Sequence, residues 1–311
     1  MFFCRKRIIE NISGGFKRMI EITKRPGFDQ GKMVNGIRYF GWRPDLAHAD
    51  RRKLANAKPV KEKRVIPAIR FFDQLSWIGD EGVGCFVLES SEGLILLDCM
   101  RPNETTKEII TKGFEDLGYD LHDLKAVIIS HGHFDHFGVS GWLHETYGCG
   151  IYLSERDYQE AQNPKMTAHK HFFDEYPFEC AGFLEDGDVF KLGDVEVYVV
   201  GTPGHSPGCN SFIFKVTDEG RDHWVGMWGG TGCAGLEVRE REQYLLSLIK
   251  FANITHQFGC DVEITSHPFV DNGIERLEVC RNIVVGVSHP YVIGREGFQR
   301  FLMGYATLCH D

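Results

Sequence analysis

Residues 130–138 read SHGHFDHFG, which places His131, His133, Asp135 and His136 within six residues. In an extended segment alternate side chains project to the same side, so the first three can face one way while His136 turns elsewhere. Imidazole and carboxylate together suit zinc, and iron or manganese also accept them. Four groups on one short loop cannot easily wrap a single ion. They can contribute to two adjacent ions if further ligands arrive from other parts of the chain. Two histidines stand at matching places. TPGHSPG puts His205 just past an apolar run, between glycines and prolines that fix the backbone, and ITSHPF puts His267 at the end of another run.

The surrounding elements have to hold these groups. LKAVIIS is a short apolar strand that leads directly into the histidine loop, so a rigid sheet would carry it. Upstream, AIRFFDQLSWIG, GCFVLES and GLILLDC read as successive strands, and NETTKEIITKGFEDLGY has helical periodicity ending near Gly118. Downstream come a helix around VSGWLHETYG, a strand GIYLS and a helix ERDYQEAQ. Residues 163–180 read as an irregular insertion. DVFKLGDVEVYVVGTPGH reads as a hairpin with a Gly-Asp turn, and NSFIFKVTDEGRDHWVGMW as another. A long amphipathic helix, REREQYLLSLIKFANITHQFG, precedes the strand DVEITSH, and helices around 273–286 and 295–309 close the chain. Strand clusters with helices between them, twice over, predict an α/β fold with two sheets packed together and helices outside.

Composition bounds the rest. The 311 residues are 42% hydrophobic and 25% charged, which fits a folded globular chain. The basic start lacks an unbroken apolar run for a signal peptide, and no stretch approaches the ~20 apolar residues of a membrane span. A cytoplasmic protein is expected. The ten cysteines form no C-x-x-C pair, so they are expected to be free, buried, small apolar side chains. The net charge of −9 hides an asymmetry: residues 1–64 hold 17 Lys+Arg against 6 Asp+Glu, and the remainder 18 against 38. This divides the chain into a basic arm, 1–67, and an acidic body, 68–311. The arm's basic residues are scattered and interleaved with Phe40 and Trp42. It is therefore expected to dock on an acidic body and to support a homo-oligomer near the mouth of the site, with nucleic-acid binding as the weaker reading.

The residues His131-x-His133-x-Asp135-His136, followed by Gly138, together with TPGHSPG, SHP and the strand ending LLDC, resemble the metallo-β-lactamase superfamily over residues ~70–311. The resemblance implies a four-layer αβ/βα sandwich, two mixed sheets face to face with helices outside. It implies that His131, His133 and His205 hold one zinc ion, that Asp135, His136 and His267 hold a second, and that a hydroxide bridges them. Most hydrolase branches of the family place a bridging Asp after a strand in the second half. Here that segment reads GMWGGTGCAGL, with Thr231 at the position. The absence is similar to the third subclass of metallo-β-lactamases.

Cys233, two residues on, is a candidate thiolate that is more often simply packed, and Cys99 and Cys209 read the same way. Asp98 is expected to fix a ligand histidine or to cap nearby backbone. His169 and His171 read as surface residues of the insertion. Phe172, Phe173, Tyr176 and Phe178 read as a cleft wall or as a small satellite core. His289 and His310 carry no motif.

A metal-bound water titrates near neutrality, so the implied activity is hydrolysis with Asp135 orienting the nucleophile and taking its proton. The expected substrate is a small ester, lactone, amide or β-lactam. A true β-lactamase is the alternative within the family, and a non-catalytic metal-binding or nucleic-acid-associated protein the alternative outside it. A flavin-linked diiron role is disfavoured because position 133 is His rather than Glu.

Overall fold

The computed structural model describes residues 32–34, 37–39, 63–165, 169–233, 235–283 and 288–308. A short antiparallel ladder joins β1 (Lys32–Val34) to β2 (Ile37–Tyr39). Apart from these strands and residues 63–67, the stretch read as a basic arm, with its expected docking and oligomer, lies outside the described residues, as do His310 and the segments 166–168 and 284–287.

Seven strands form the larger sheet in chain order: β3 (Val65–Phe72), β4 (Leu75–Asp80), β5 (Gly84–Ser90), β6 (Gly93–Leu97), β7 (Leu124–Ile128), β8 (Gly150–Leu153) and β9 (Gly182–Phe183). The first four pair antiparallel, and β6 through β9 run parallel. Five strands form the second sheet: β10 (Val189–Leu192), β11 (Val195–Gly201), β12 (Asn210–Asp218), β13 (Arg221–Met227) and β14 (Val262–Ile264). Only β13 and β14 pair parallel there. The opening strand begins at Val65, three residues before the boundary read from charge. AIRFFDQLSWIG is two strands rather than one. The chain reverses at Asp73-Gln74, where Asp73 N donates to Thr217 O and Gln74 Oε1 accepts from Thr217 N. Alternation continues across that turn, so the pattern alone does not show the break.

Three apolar clusters show the layering. Phe86, Leu88, Ile95 and Leu97 of the first sheet meet Val197, Phe212, Phe214 and Val225 of the second. On the outer face of the first sheet, helix α1 (Glu104–Leu117) buries Ile109, Ile110 and Phe114. The Asn103 side chain caps it by accepting from Thr106 N, and Gly118 closes it at φ 76°, a conformation that favours glycine. On the outer face of the second sheet, Leu248 and Phe251 pack with Phe298 and Phe301. They come from the helices Val238–Phe258 and Gly294–Leu308. The result is helix, sheet, sheet, helix, the four-layer arrangement expected. All eight cysteines among the described residues are free. No helix among the described residues is long and apolar enough to cross a membrane.

Candidate metal centre

The histidine loop leaves the C-terminal end of β7. The segments bearing His205 and His267 leave the ends of β11 and β14 in the other sheet. They converge at one edge of the inter-sheet core. His131, His133 and His205 form one set whose donor atoms lie within 4.8 Å of one another, and Asp135, His136 and His267 form a second. Neither Thr231 nor Cys233 joins a set. Thr231 is buried, and Cys233 packs against the outer helical cluster.

Four of the five rings are oriented through Nδ1. His136 Nδ1 meets Asp98 Oδ2 at 2.8 Å, His205 Nδ1 donates to Gly232 O at 2.6 Å, and His267 Nδ1 donates to Gly82 O at 2.8 Å. Ser130 Oγ donates to Asp98 Oδ2 at 3.1 Å, which leaves that hydroxyl oxygen to accept from His131 Nδ1 at 3.0 Å. In the neutral tautomers that these bonds select, the Nε2 atoms of the four rings carry the lone pairs. Two of them, on His131 and His205, stand 3.2 Å apart. His136 Nε2 is buried with no hydrogen-bond partner, and its nearest carboxylate oxygen, Asp135 Oδ1, is 3.9 Å away. Lone pairs that face each other, and a buried acceptor with nothing to accept, are what a cation would resolve.

Electrostatics agree for His131 and His133. Burial, reinforced by the neighbouring imidazoles, holds His131 well below its ordinary value. Burial brings His133 down to about 4. Both rings are neutral at neutral pH, the form that ligates metal. Burial would also lower His136, but Asp98 and Asp135 override it and hold the ring above its usual value. Asp135 sits at the mouth, its side chain 24% exposed. Burial opposes its ionisation, yet His136, His267 and Arg101 keep the carboxyl below the usual range.

Asp98 is the residue that fixes His136, and it does more. It is fully buried in a left-handed conformation, φ 60°, and also accepts from Ser130 N at 2.7 Å and Ser266 Oγ at 2.5 Å. One carboxylate thus binds the histidine loop and the β14 segment together. Two other buried aspartates went unremarked in the sequence. Asp80 accepts from Gly82 N and Val83 N and pairs with Arg101 at 2.6 Å, which shapes the turn whose Gly82 carbonyl holds His267. Asp157 accepts from Gly132 N at 2.9 Å, Ser206 Oγ at 2.5 Å and Gly208 N at 2.6 Å. Burial pushes its carboxyl up to about 6 despite those bonds. An Asp two residues before Gly in GDEGVG, and Ser-x-x-Asp opening a helix, are the signals that could have found them.

The insertion divides between the two roles considered for it. Phe173 and Phe178 join the core beside Phe137, while Phe172 stacks on Phe134 at 4.2 Å with His169 edge-on to the same ring. Phe134 lies between His133 and Asp135, so the short helix Lys170–Glu175 within the supposedly irregular insertion covers the loop. His171 is exposed, and Tyr176 is half-buried. Cys99 and Cys209 are buried, and burial drives both thiols well up. His289 stacks on Phe72, away from the centre.

Residues 78–218 match the family model of the metallo-beta-lactamase superfamily. That matched stretch carries the histidine loop and His205, and it resembles the metallo-beta-lactamase superfamily. The chain is 29% identical over 165 residues to an N-acyl homoserine lactonase of Bacillus cereus, a match covering 44% of this chain and 60% of that one. It is 31% identical over 95 residues to a probable polyketide biosynthesis zinc-dependent hydrolase of Bacillus velezensis, covering 30% and 36%. The chain spans 60–61% of the lengths of the Bacillus N-acyl homoserine lactonases that it matches. Its fold is similar to that of a subclass B3 metallo-beta-lactamase of Bradyrhizobium japonicum, with a TM-score of 0.65 and 23% identity over 80% of this chain and 92% of that one.

Proposed function

We propose that this chain is a member of the metallo-beta-lactamase superfamily and a binuclear zinc hydrolase that cleaves an ester, lactone, amide or β-lactam bond of a small molecule. The observation that carries the reading is the pair of donor sets side by side, with His131 and His205 presenting Nε2 lone pairs to each other across 3.2 Å. His131, His133 and His205 would hold one ion, and Asp135, His136 and His267 the other, with iron or manganese as substitutes. When bound, the ions supply a deprotonated water at neutral pH and a Lewis acid for the scissile carbonyl.

The chain's own groups do the rest. Asp135, partly exposed and held anionic, orients the attacking water and takes its proton. Asp98 keeps His136 in the tautomer that turns Nε2 inward. Phe134 and Phe172 shield one side of the centre from water and offer an apolar face to the substrate. The lactonase and zinc-hydrolase names among the relatives support a carbonyl substrate, and so does the third-subclass fold. Thr231 in place of a bridging carboxylate leaves the second set dependent on Asp135, His136 and His267 alone.

Protein purified without chelator and reconstituted with Zn2+ is expected to hold about two ions per chain by elemental analysis. It should then turn over at least one member of a panel that includes a lactone, a thioester, an amide and a β-lactam. Stoichiometry that stays near zero would sink the proposal. His267→Ala is expected to make metal binding biphasic, with the second set weakened ~100-fold and the first unchanged. Unchanged affinity at both sets would transfer the sixth ligand's role elsewhere, with Cys233 the first residue to test.

A further inference from the structure

Two loops carry the first donor set, and they come from different sheets. His131-Gly132-His133 follows β7, and His205-Ser206-Pro207-Gly208 lies between β11 and β12. Neither loop has regular structure of its own to fix it. What lies between them is the first turn of the helix Glu155–Gln162, which starts where β8 ends. Ser154 caps that helix, its hydroxyl accepting from Asp157 N at 3.1 Å and donating to Gly208 O at 2.7 Å. Asp157 accepts from Gly208 N on the other side of the same residue, from Ser206 Oγ beside His205, and from Gly132 N between His131 and His133. Ser154 and Asp157 are 3% and 0% exposed. Contact is too close for a side chain at either glycine: a Cβ at Gly132 would strike Asp157 O, and one at Gly208 would strike Ser154 Oγ.

We infer that Asp157, with Ser154, is the positioning residue of the first metal set, a clamp that fixes the spacing of the His131/His133 loop and the His205 loop across the two sheets. The second set has separate supports, Asp98 for His136 and the Gly82 carbonyl for His267. Asp98 also reaches the first set, through Ser130 Oγ and His131 Nδ1, whereas no described hydrogen bond joins Asp157 to a residue of the second set. Removing the Asp157 carboxylate leaves the second set its own holders and takes from the first set a side chain that bonds both of its loops. An Asn at 157 keeps one acceptor oxygen, but it turns an amide N–H toward at least one of three donors.

The inference rests on the proposed binuclear reading, and the experiment separates the two. In full-length protein, Asp157→Asn is combined with His267→Ala, which isolates the first set, and separately with His205→Ala, which isolates the second. Zn2+ affinity is measured against a competing chelator, and Co2+ absorption reports ligand geometry. The expected result is a ~10–100-fold loss of first-set affinity and an altered Co2+ spectrum in the first background, with less than a twofold change in the second. Equal loss in both backgrounds, or loss that only follows a fall in thermal midpoint, overturns the assignment and makes Asp157 a structural residue. No loss in either also overturns it. If the wild-type protein takes up no Zn2+, the binuclear reading fails first. Should Asp157→Asn not fold, Ser206→Ala removes one bond of the clamp and is expected to shift the first set in the same direction by a smaller factor. An unshifted first set in that variant refutes the clamp.

Discussion

Replacing Asp135 with Asn is expected to lower kcat by at least ~100-fold while the protein keeps its fold and thermal midpoint. General acid–base contributions are commonly of that size, and here the same carboxylate is also a donor of the second set. The residue lies at the mouth, 24% exposed and 3.7–3.9 Å from the Nε2 atoms of His267 and His136. An amide there fills the same space without strain. The loss should therefore appear in turnover and in second-set metal affinity, not in stability. Circular dichroism and single-turnover kinetics on zinc-loaded protein would test this. A variant that keeps more than about a tenth of the wild-type kcat would remove Asp135 from the role given to it.

Asp98→Ala is expected to act in the opposite way, through stability first. Its carboxylate takes hydrogen bonds from Ser130 N, Ser130 Oγ, Ser266 Oγ and His136 Nδ1, all of them buried. Truncation strands these donors where no water reaches them. Breaking a buried charged pair from one side costs about 3–5 kcal/mol. A non-glycine residue with a short polar side chain also suits the left-handed backbone at φ 60° better than Ala does. Denaturant unfolding of metal-free protein would measure the loss. A change below about 1 kcal/mol would mean that the network relaxes around the gap. Asp98→Asn, which preserves shape and tolerates the backbone, should recover part of the stability but not the orientation of His136.

Much of this architecture could be read in advance, and what could not has identifiable causes. The histidine loop was legible because its three histidines and aspartate fall within six residues and follow a short apolar strand. His205 and His267 were legible because each ends an apolar run beside proline. The helix after Asn103 was bounded at both ends by its cap and by Gly118. The turn at Asp73-Gln74 was not legible, because its partner is Thr217, about 140 residues away in the other sheet. Asp157 escaped for the same reason. Locally it looks like a polar residue in the first turn of an amphipathic helix, and only the fold brings Gly132 and Gly208 to it. The role of Gly232 is a backbone carbonyl, which no side-chain pattern can announce. The segment that lacks a bridging carboxylate still serves His205 through that carbonyl.

The hydrogen bond from Ser266 to Asp98 closes a loop of 168 residues, and the contact between His205 and His131 closes one of 74. Contacts of such separation pay their loop-closure entropy before they return anything. Each sheet can zip its hairpins locally, but the centre exists only once the sheets have met. No fragment ending before His267 contains it, and no single segment could be transplanted to carry it. The candidate centre is thus a property of the topology and belongs to no one segment.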